Sequence, residues 1–321
     1  MAFVNHEFNK KWKNIEEIFE RIKEMAILPV SVDEKDTTLD ILRKELNSYR
    51  DTIFTIAVCG QVKVGKSTFL NSIFFEDNVL PSYVTPETAK LTFIKYGKEK
   101  TFDVDFYTQE EWDDLNKELE IKKLDSTKKK LDDLIEACGK YFSVNKRDCI
   151  GKTKTGLSWD DLEAYVSVFN KESGKGKYTP FVKQVTLYVD NPVLKNIQIV
   201  DTPGINDSDK INSYQTTQWI REAHAVIYLF QSKGLDPADL NFFDKYFPTE
   251  AKKARIMVQN QIDCYPDEYP DVITASRAVC VEKKLDFFKN DEIICSYSAI
   301  LALAKAKQAN DKDLTEDDRE L

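Results

Sequence analysis

Three stretches of this chain carry residue types at spacings that suit phosphate chemistry. The first, Gly60-Gln61-Val62-Lys63-Val64-Gly65-Lys66-Ser67-Thr68, fills every fixed position of the pattern Gly-x-x-x-x-Gly-Lys-Ser. Gly60 and Gly65 permit a tight turn in which successive N–H groups converge on phosphate oxygens. Lys66 can then reach the outer phosphates of a nucleoside triphosphate, and the Ser67 hydroxyl can ligate magnesium. Lys63 stands two residues before Gly65. It is placed either to swing over the phosphates as an internal cationic finger or simply to face solvent.

The second stretch is Asp201-Thr202-Pro203-Gly204. Asp201 is expected to hold magnesium through a water, and the Gly204 N–H to meet the terminal phosphate, whose loss would release the loop. Residues 79–90, with Pro81 and Pro86 and no hydrophobic period, read as a switch loop. A threonine there should complete the magnesium shell; Thr85 is the expected residue and Thr88 the alternative. The third stretch, Asn260-Gln261-Ile262-Asp263, is similar to the guanine-reading Asn-Lys-x-Asp. Asp263 can accept from the guanine ring N–H and the exocyclic amine, a donor pair that adenine lacks. Each such charged hydrogen bond is worth roughly 1.5–3 kcal/mol. Gln261 stands where a lysine would lay its stem along the base, which weakens the expected affinity more than the base choice. Ser298-Ala299 is expected to add a backbone N–H to the guanine carbonyl. The ligands expected are therefore GTP and GDP, with Mg2+ as cofactor. Ile205 follows Gly204 where Ras-type enzymes place a water-orienting glutamine, so hydrolysis must recruit other groups. Lys63, Thr85 and Lys66 are the catalytic candidates.

These groups need a scaffold, and the flanking residues specify one. Residues 53–59 are apolar and partly β-branched, as in a buried parallel strand. Residues 68–74 place Phe69, Leu70, Ile73 and Phe74 on one helix face. Residues 91–96 and 101–106 read as two strands of a hairpin around Gly97-Lys98-Glu99-Lys100. Further strands are expected at 182–189 (an exposed-face strand), 197–200, 225–230, 255–259 and 292–296, and helices at 237–247 and 300–308. The fold class is α/β: a P-loop GTPase fold with a mostly parallel central sheet flanked by helices. Residues 108–180 read as a helical insertion, with a basic, turn-rich loop at 139–156 and a helix at 159–169 capped by Ser158. Residues 1–50 carry two amphipathic helices; the first places Phe8, Trp12, Ile15, Phe19, Ile22 and Met25 in one stripe. They fit either a neck or simple packing on the nucleotide domain, 51–321.

Composition narrows the classes. Apolar content of 42% and charged content of 31% fit a soluble globular protein, and no apolar run is long enough to span a bilayer. The start is no secretory signal. A net charge of −9 and the acidic residues 310–320 disfavour nucleic acid as a partner. Six cysteines without paired spacing read as free buried thiols in a reducing cytosol, with Cys59 and Cys295 in apolar strand runs. Two histidines, His6 and His224, exclude a histidine-rich metal site.

The order of motifs resembles that of bacterial dynamin-like GTPases. The resemblance rests on the loop 60–68 with Lys63, Leu80-Pro81, Thr85-Pro86-Glu87-Thr88-Ala89, Thr92 and Tyr96-Gly97. It continues through Phe181 to Tyr188 and Asp201 to Asp207, and it spans about residues 50–305. It implies a GTPase domain that pairs across its nucleotide face, as a homodimer or heterodimer, with hydrolysis coupled to membrane remodelling. It further implies a cytoplasmic protein, with peripheral attachment at the inner membrane open for the full-length form. A helical trunk and a membrane-inserting tip would follow in such proteins. The chain stops soon after its last strand, so a fragment or one part of a larger assembly is expected. Related guanylate-binding proteins carry an arginine finger where Lys63 stands, while animal dynamins carry Gln-Ser in place of Val62-Lys63. Two other readings share the motif order: a GTP-dependent binding switch with little turnover, and a ribosome-assembly GTPase.

Overall fold

The computed structural model describes residues 53–80, 91–121, 125–204, 219–246, 254–264 and 294–310, the helix Tyr269–Glu282, and isolated positions. Among the isolated ones, Lys13, Asn14, Glu17, Ile18 and Arg21 are helical and exposed. The apolar stripe expected beside them, residues 81–90 of the switch loop with Thr85 and Thr88, and Ile205 lie outside the described residues.

Among the described residues nine strands form one sheet, in the order β4-β3-β5-β2-β6-β1-β7-β8-β9. In chain order they are β1 Phe54–Gly60, β2 Leu91–Tyr96, β3 Thr101–Phe106, β4 Thr153–Ser158 and β5 Val182–Val189. Then come β6 Ile197–Asp201, β7 Ala225–Gln231, β8 Ala254–Asn260 and β9 Ile294–Ser296. β6, β1, β7, β8 and β9 run parallel. β2 pairs antiparallel with β6 and parallel with β5, and β3 is antiparallel to both β5 and β4. The sheet is thus the mostly parallel P-loop GTPase sheet expected. Alternation along β1 sends Val58 to one face and Ala57 and Cys59 to the other. One face is the larger apolar cluster with Phe69, Leu70, Ile94 and Leu187; the opposite one holds Tyr228, Phe230, Phe243 and Met257.

Helix α1 (Lys66–Leu70) runs on as a π turn, Asn71–Phe75, instead of a regular helix to Phe74. The extra residue turns Asn71 and Ser72 inward and leaves Ile73 and Phe74 only partly covered. Asn71 then donates to Leu80 O and accepts from Leu80 N, both at 2.8 Å, and pins the following loop. The hairpin expected from β2 and β3 is not formed, because β5 lies between them. Leu91 and Phe93 pack in one cluster and Ile94 in another, so β2 needs a neighbour on each edge. The connection crosses the end of β5, where Gly97 N donates to Val189 O at 3.0 Å. For the same reason β5 is an interior strand rather than one with an exposed face, and Val182, Val185 and Leu187 are fully buried.

Between β3 and β5 come α2 (Gln109–Ile121), α3 (Asp125–Phe142), α4 (Lys146–Cys149) and α5 (Glu163–Val166). Thr108 and Glu111 exchange hydrogen bonds as a capping box that starts α2. The basic loop expected at 139–156 instead contains the edge strand β4. Lys154 on that strand leaves solvent: its Nζ lies 4.3 Å from the Tyr178 ring centroid and 3.2 Å from the Tyr165 hydroxyl. Ser158 does cap, accepting from Asp160 N, but the helix expected to Phe169 stops at Val166. The Ser167 N–H makes the last helical bond, to Glu163 O, and the next carbonyls, Ala164 and Tyr165, go to Tyr178 N and the Thr179 hydroxyl instead of a further turn. Helices α6 (Pro237–Tyr246), α7 (Tyr269–Glu282) and α8 (Ala299–Ala309) complete the layers. Among the described residues no helix is long and apolar enough to cross a membrane. Of the described cysteines, Cys59, Cys138 and Cys149 are buried, whereas Cys264 and Cys295 are exposed. Cys295 sits on β9, at the end of the strand order, which is why an apolar strand run does not bury it.

Candidate functional site

The sequence motifs converge at the carboxyl ends of the parallel strands, the end where α/β sheets take ligands. β1 ends at Gly60 and α1 starts at Lys66, so the chain must reverse within residues 61–65. Gly65, the helix N-cap, adopts the left-handed conformation (φ 84°), and a Cβ there would stand 2.5 Å from Asn260 Nδ2. Lys63 is also left-handed (φ 65°) and its side chain is exposed. Lys66 Nζ donates to the carbonyls of Gly60 (3.1 Å) and Gln61 (3.0 Å).

Asp201 ends β6, opposite Val58 on one side and Thr92 on the other. Its Oδ1 is buried and has no hydrogen-bond partner among the described residues. Burial pushes its carboxyl up to about 7, with the Lys66 charge pulling the other way. Thr202 fixes the following turn by donating through its backbone N–H and its hydroxyl to Val58 O, at 3.2 and 2.9 Å. Gly204 lies directly on the phosphate loop: a Cβ there would fall 2.6 Å from Val62 Cγ2.

Asn260, at the end of β8, is buried. Its Nδ2 donates to Val64 O at 2.8 Å, and its Oδ1 accepts from Ala299 N at 3.1 Å. Gln261 supplies the tie to the phosphate loop that a lysine would otherwise make, through Nε2 to Lys63 O at 3.1 Å. Ser298 caps α8 and also donates to Asp263 Oδ1 at 2.5 Å. The structure thus brings together residues 60–68, 201–204, 260–263 and 298–299 from four separate parts of the chain.

Sequence reasoning missed the support beneath this site. Asp239, in the first turn of α6, is 2% exposed, and its Oδ1 accepts from Gln61 Nε2 (2.8 Å) and from the Tyr228 hydroxyl. Burial raises the Asp239 carboxyl; burial and then the Asp239 charge raise the Tyr228 phenol. The available signal was Asp236-x-x-Asp239 ahead of Leu240 and Phe242, a capping pattern at a helix start.

Strand, glycine loop and helix at the carboxyl edge of a mostly parallel sheet, with an aspartate strand end beside the loop, define a P-loop domain of the GTPase fold. The model of the dynamin family matches residues 56–260, and the chain belongs to that family, whose members are GTPases. Dynamin-like protein 1 of Campylobacter jejuni is 32% identical over 203 residues, which cover 63% of this chain and 26% of that protein. Dynamin-like protein A of Bacillus subtilis is 27% identical over 239 residues, covering 64% of this chain and 19% of that protein. A solved structure of an oligomerised bacterial dynamin pair, described as sensing and tethering membranes over long range, shares the fold. It superposes with a TM-score of 0.65 at 23% identity over 98% of this chain and 49% of that one. The chain spans about a quarter or less of the curated relatives named here and about half of that solved chain. Family membership favours neither the ribosome-assembly reading nor the switch with little turnover.

Proposed function

We propose that this chain is the nucleotide-hydrolysing part of a dynamin-like protein: it binds GTP with magnesium, hydrolyses it to GDP and phosphate, and pairs across its nucleotide face. The observation that carries this reading is Asn260. One buried amide holds both Val64 of the phosphate loop and Ala299 of the Ser-Ala turn, so the phosphate and base motifs form one rigid cleft. In it the N–H groups of residues 61–68 bind phosphates and Lys66 moves from the loop carbonyls to the outer phosphates. Asp263, oriented by Ser298, reads the guanine edge, and the Ala299 segment faces its carbonyl. Gln261 keeps the loop tie despite its missing charge, which supports guanine binding by this variant motif.

Magnesium fits the residues present. The orphaned buried Oδ1 of Asp201 and the Ser67 hydroxyl are hard oxygen donors, and a buried carboxylate without a partner is costly unless a cation or donor meets it. Ser67, Thr85 and Asp201 (through a water) are proposed to hold it. Bound there, the ion would neutralise charge on the β- and γ-phosphates. Lys63, exposed and left-handed, is proposed as the internal finger that replaces the absent glutamine. Gly204, against Val62, is proposed to report the terminal phosphate to the following loop.

Residues 1–50 are proposed as neck helices and 108–180 as an insertion within the GTPase domain. In the complete protein, nucleotide-dependent pairing would be coupled to remodelling of a membrane, with lipid as partner at the cytoplasmic face. The solved bacterial dynamin pair is described as an oligomer that tethers membranes, which supports this reading. The test is phosphate release from GTP and from ATP with magnesium over a range of protein concentrations. GTP-selective turnover whose specific rate rises with concentration is expected. Equal use of ATP would overturn the base assignment, and a rate independent of concentration would overturn the catalytic pair.

A further inference from the structure

The first turn of α6 carries more than a cap. Asp236 Oδ1 accepts from Ala238 N (2.8 Å) and Asp239 N (3.0 Å), and Asp239 Oδ2 accepts from Asp236 N (2.9 Å). That completes the capping box with one oxygen of Asp239. The other oxygen faces the phosphate loop, where it takes Gln61 Nε2 at 2.8 Å and the Tyr228 hydroxyl. Gln61 in turn presents its backbone carbonyl to Lys66 Nζ at 3.0 Å. A cavity of about 160 Å3, lined in part by Gln61, Val64, Lys233, Asp236 and Asp239, opens beside this contact. With open space on that side, the Gln61 side chain is held by hydrogen bonds to the first turn of α6, to Asp239 at 2.8 Å and to Asp236 as well.

We propose that Asp239 is a positioning residue of the phosphate loop, acting through Gln61 to hold the loop in the conformation that presents Lys66 to the nucleotide. Tyr228, on the strand beneath, fixes the Asp239 carboxylate in turn. This rests on the proposed binding of GTP. It adds that the loop is held from two sides: by Asn260 at Val64, and by Asp239 at Gln61.

The test reverses the polarity of the contact. Asp239→Asn, Gln61→Glu and the combined variant are compared with the unaltered chain for affinity towards a fluorescent GTP analogue with magnesium. Nucleotide-free melting is measured alongside. Each single variant is expected to weaken binding about tenfold, the scale of one charge-assisted hydrogen bond. The combined variant is expected to return to within about threefold, because the new amide N–H can donate to the new carboxylate. Additive losses, or single variants with unaltered affinity, would overturn the proposal, since a mere cap at Asp239 predicts no rescue by residue 61. If Asp239→Asn does not fold, Gln61→Leu decides: about tenfold weaker binding at an unchanged melting midpoint is expected, and unaltered affinity overturns the proposal. An unaltered chain that binds no GTP would sink the GTP reading itself, a result distinct from additivity.

Discussion

Lys63 sits in a backbone region that side chains other than glycine rarely adopt, at a cost of roughly 1–2 kcal/mol. Its carbonyl is held by Gln261 while its side chain stays exposed, so that hydrogen bond holds the backbone and the ammonium is open to solvent. Lys63→Ala should lower kcat for GTP by about 100-fold, the usual cost of one charge-stabilising donor, without changing the melting midpoint. Steady-state phosphate release beside a melt checks both. Asp201 gives a second prediction at this scale. Its folded-state carboxyl is raised to about 7 by burial, so the folded protein holds a proton that the unfolded chain has released. Its contribution is therefore fully present below the unfolded carboxyl's ordinary range near 4 and is lost as pH rises towards 7. In EDTA and without nucleotide, Asp201→Asn should remove this part of the decline between pH 4 and 7, as read by denaturant titration at each pH.

The π turn at the end of α1 is the element that couples the phosphate loop to the segment ending at Leu80. It exists because Asn71 gains two buried hydrogen bonds to Leu80 by pointing inward. Asn71→Ala should cost about 2–4 kcal/mol, since two buried backbone groups lose their partner. Far-UV helicity should change little while the denaturant midpoint falls; an unchanged midpoint would mean that the turn is set by something other than Asn71. The same logic governs the β2–β5–β3 arrangement. A strand with apolar residues on both faces is held by two neighbours, and local hairpin propensity yields to that requirement.

At the scale of the whole molecule, the site is assembled from the ends of β1, β6 and β8 and the start of α8, so a ligand there ties together distant parts of the sheet. GTP with magnesium at a hundredfold excess over its dissociation constant should stabilise the fold by about 2.7 kcal/mol. ATP at the same concentration should shift the midpoint far less. Differential scanning fluorimetry with the two nucleotides reads this directly, and equal shifts would argue against guanine selection by Asp263.

The linear order of residues already determined the parts that are local. Gly60 to Ser67, Asp201 to Gly204 and Asn260 to Asp263 are short runs bounded by apolar strands, and their chemistry follows from residue type and spacing. The parallel β6-β1-β7-β8 core was legible for the same reason, because strands buried on both faces read as continuous apolar runs. What only the tertiary structure decided was non-local. No spacing rule says that β5 separates β2 from β3, that Lys154 lies against Tyr178 and Tyr165, or that Gln261 reaches Lys63 across 198 positions. Nor does any local pattern reveal that Asp239 closes on Gln61 from 178 residues away. These contacts depend on which strand edges meet, and that is settled by how both faces of the whole sheet are buried at once.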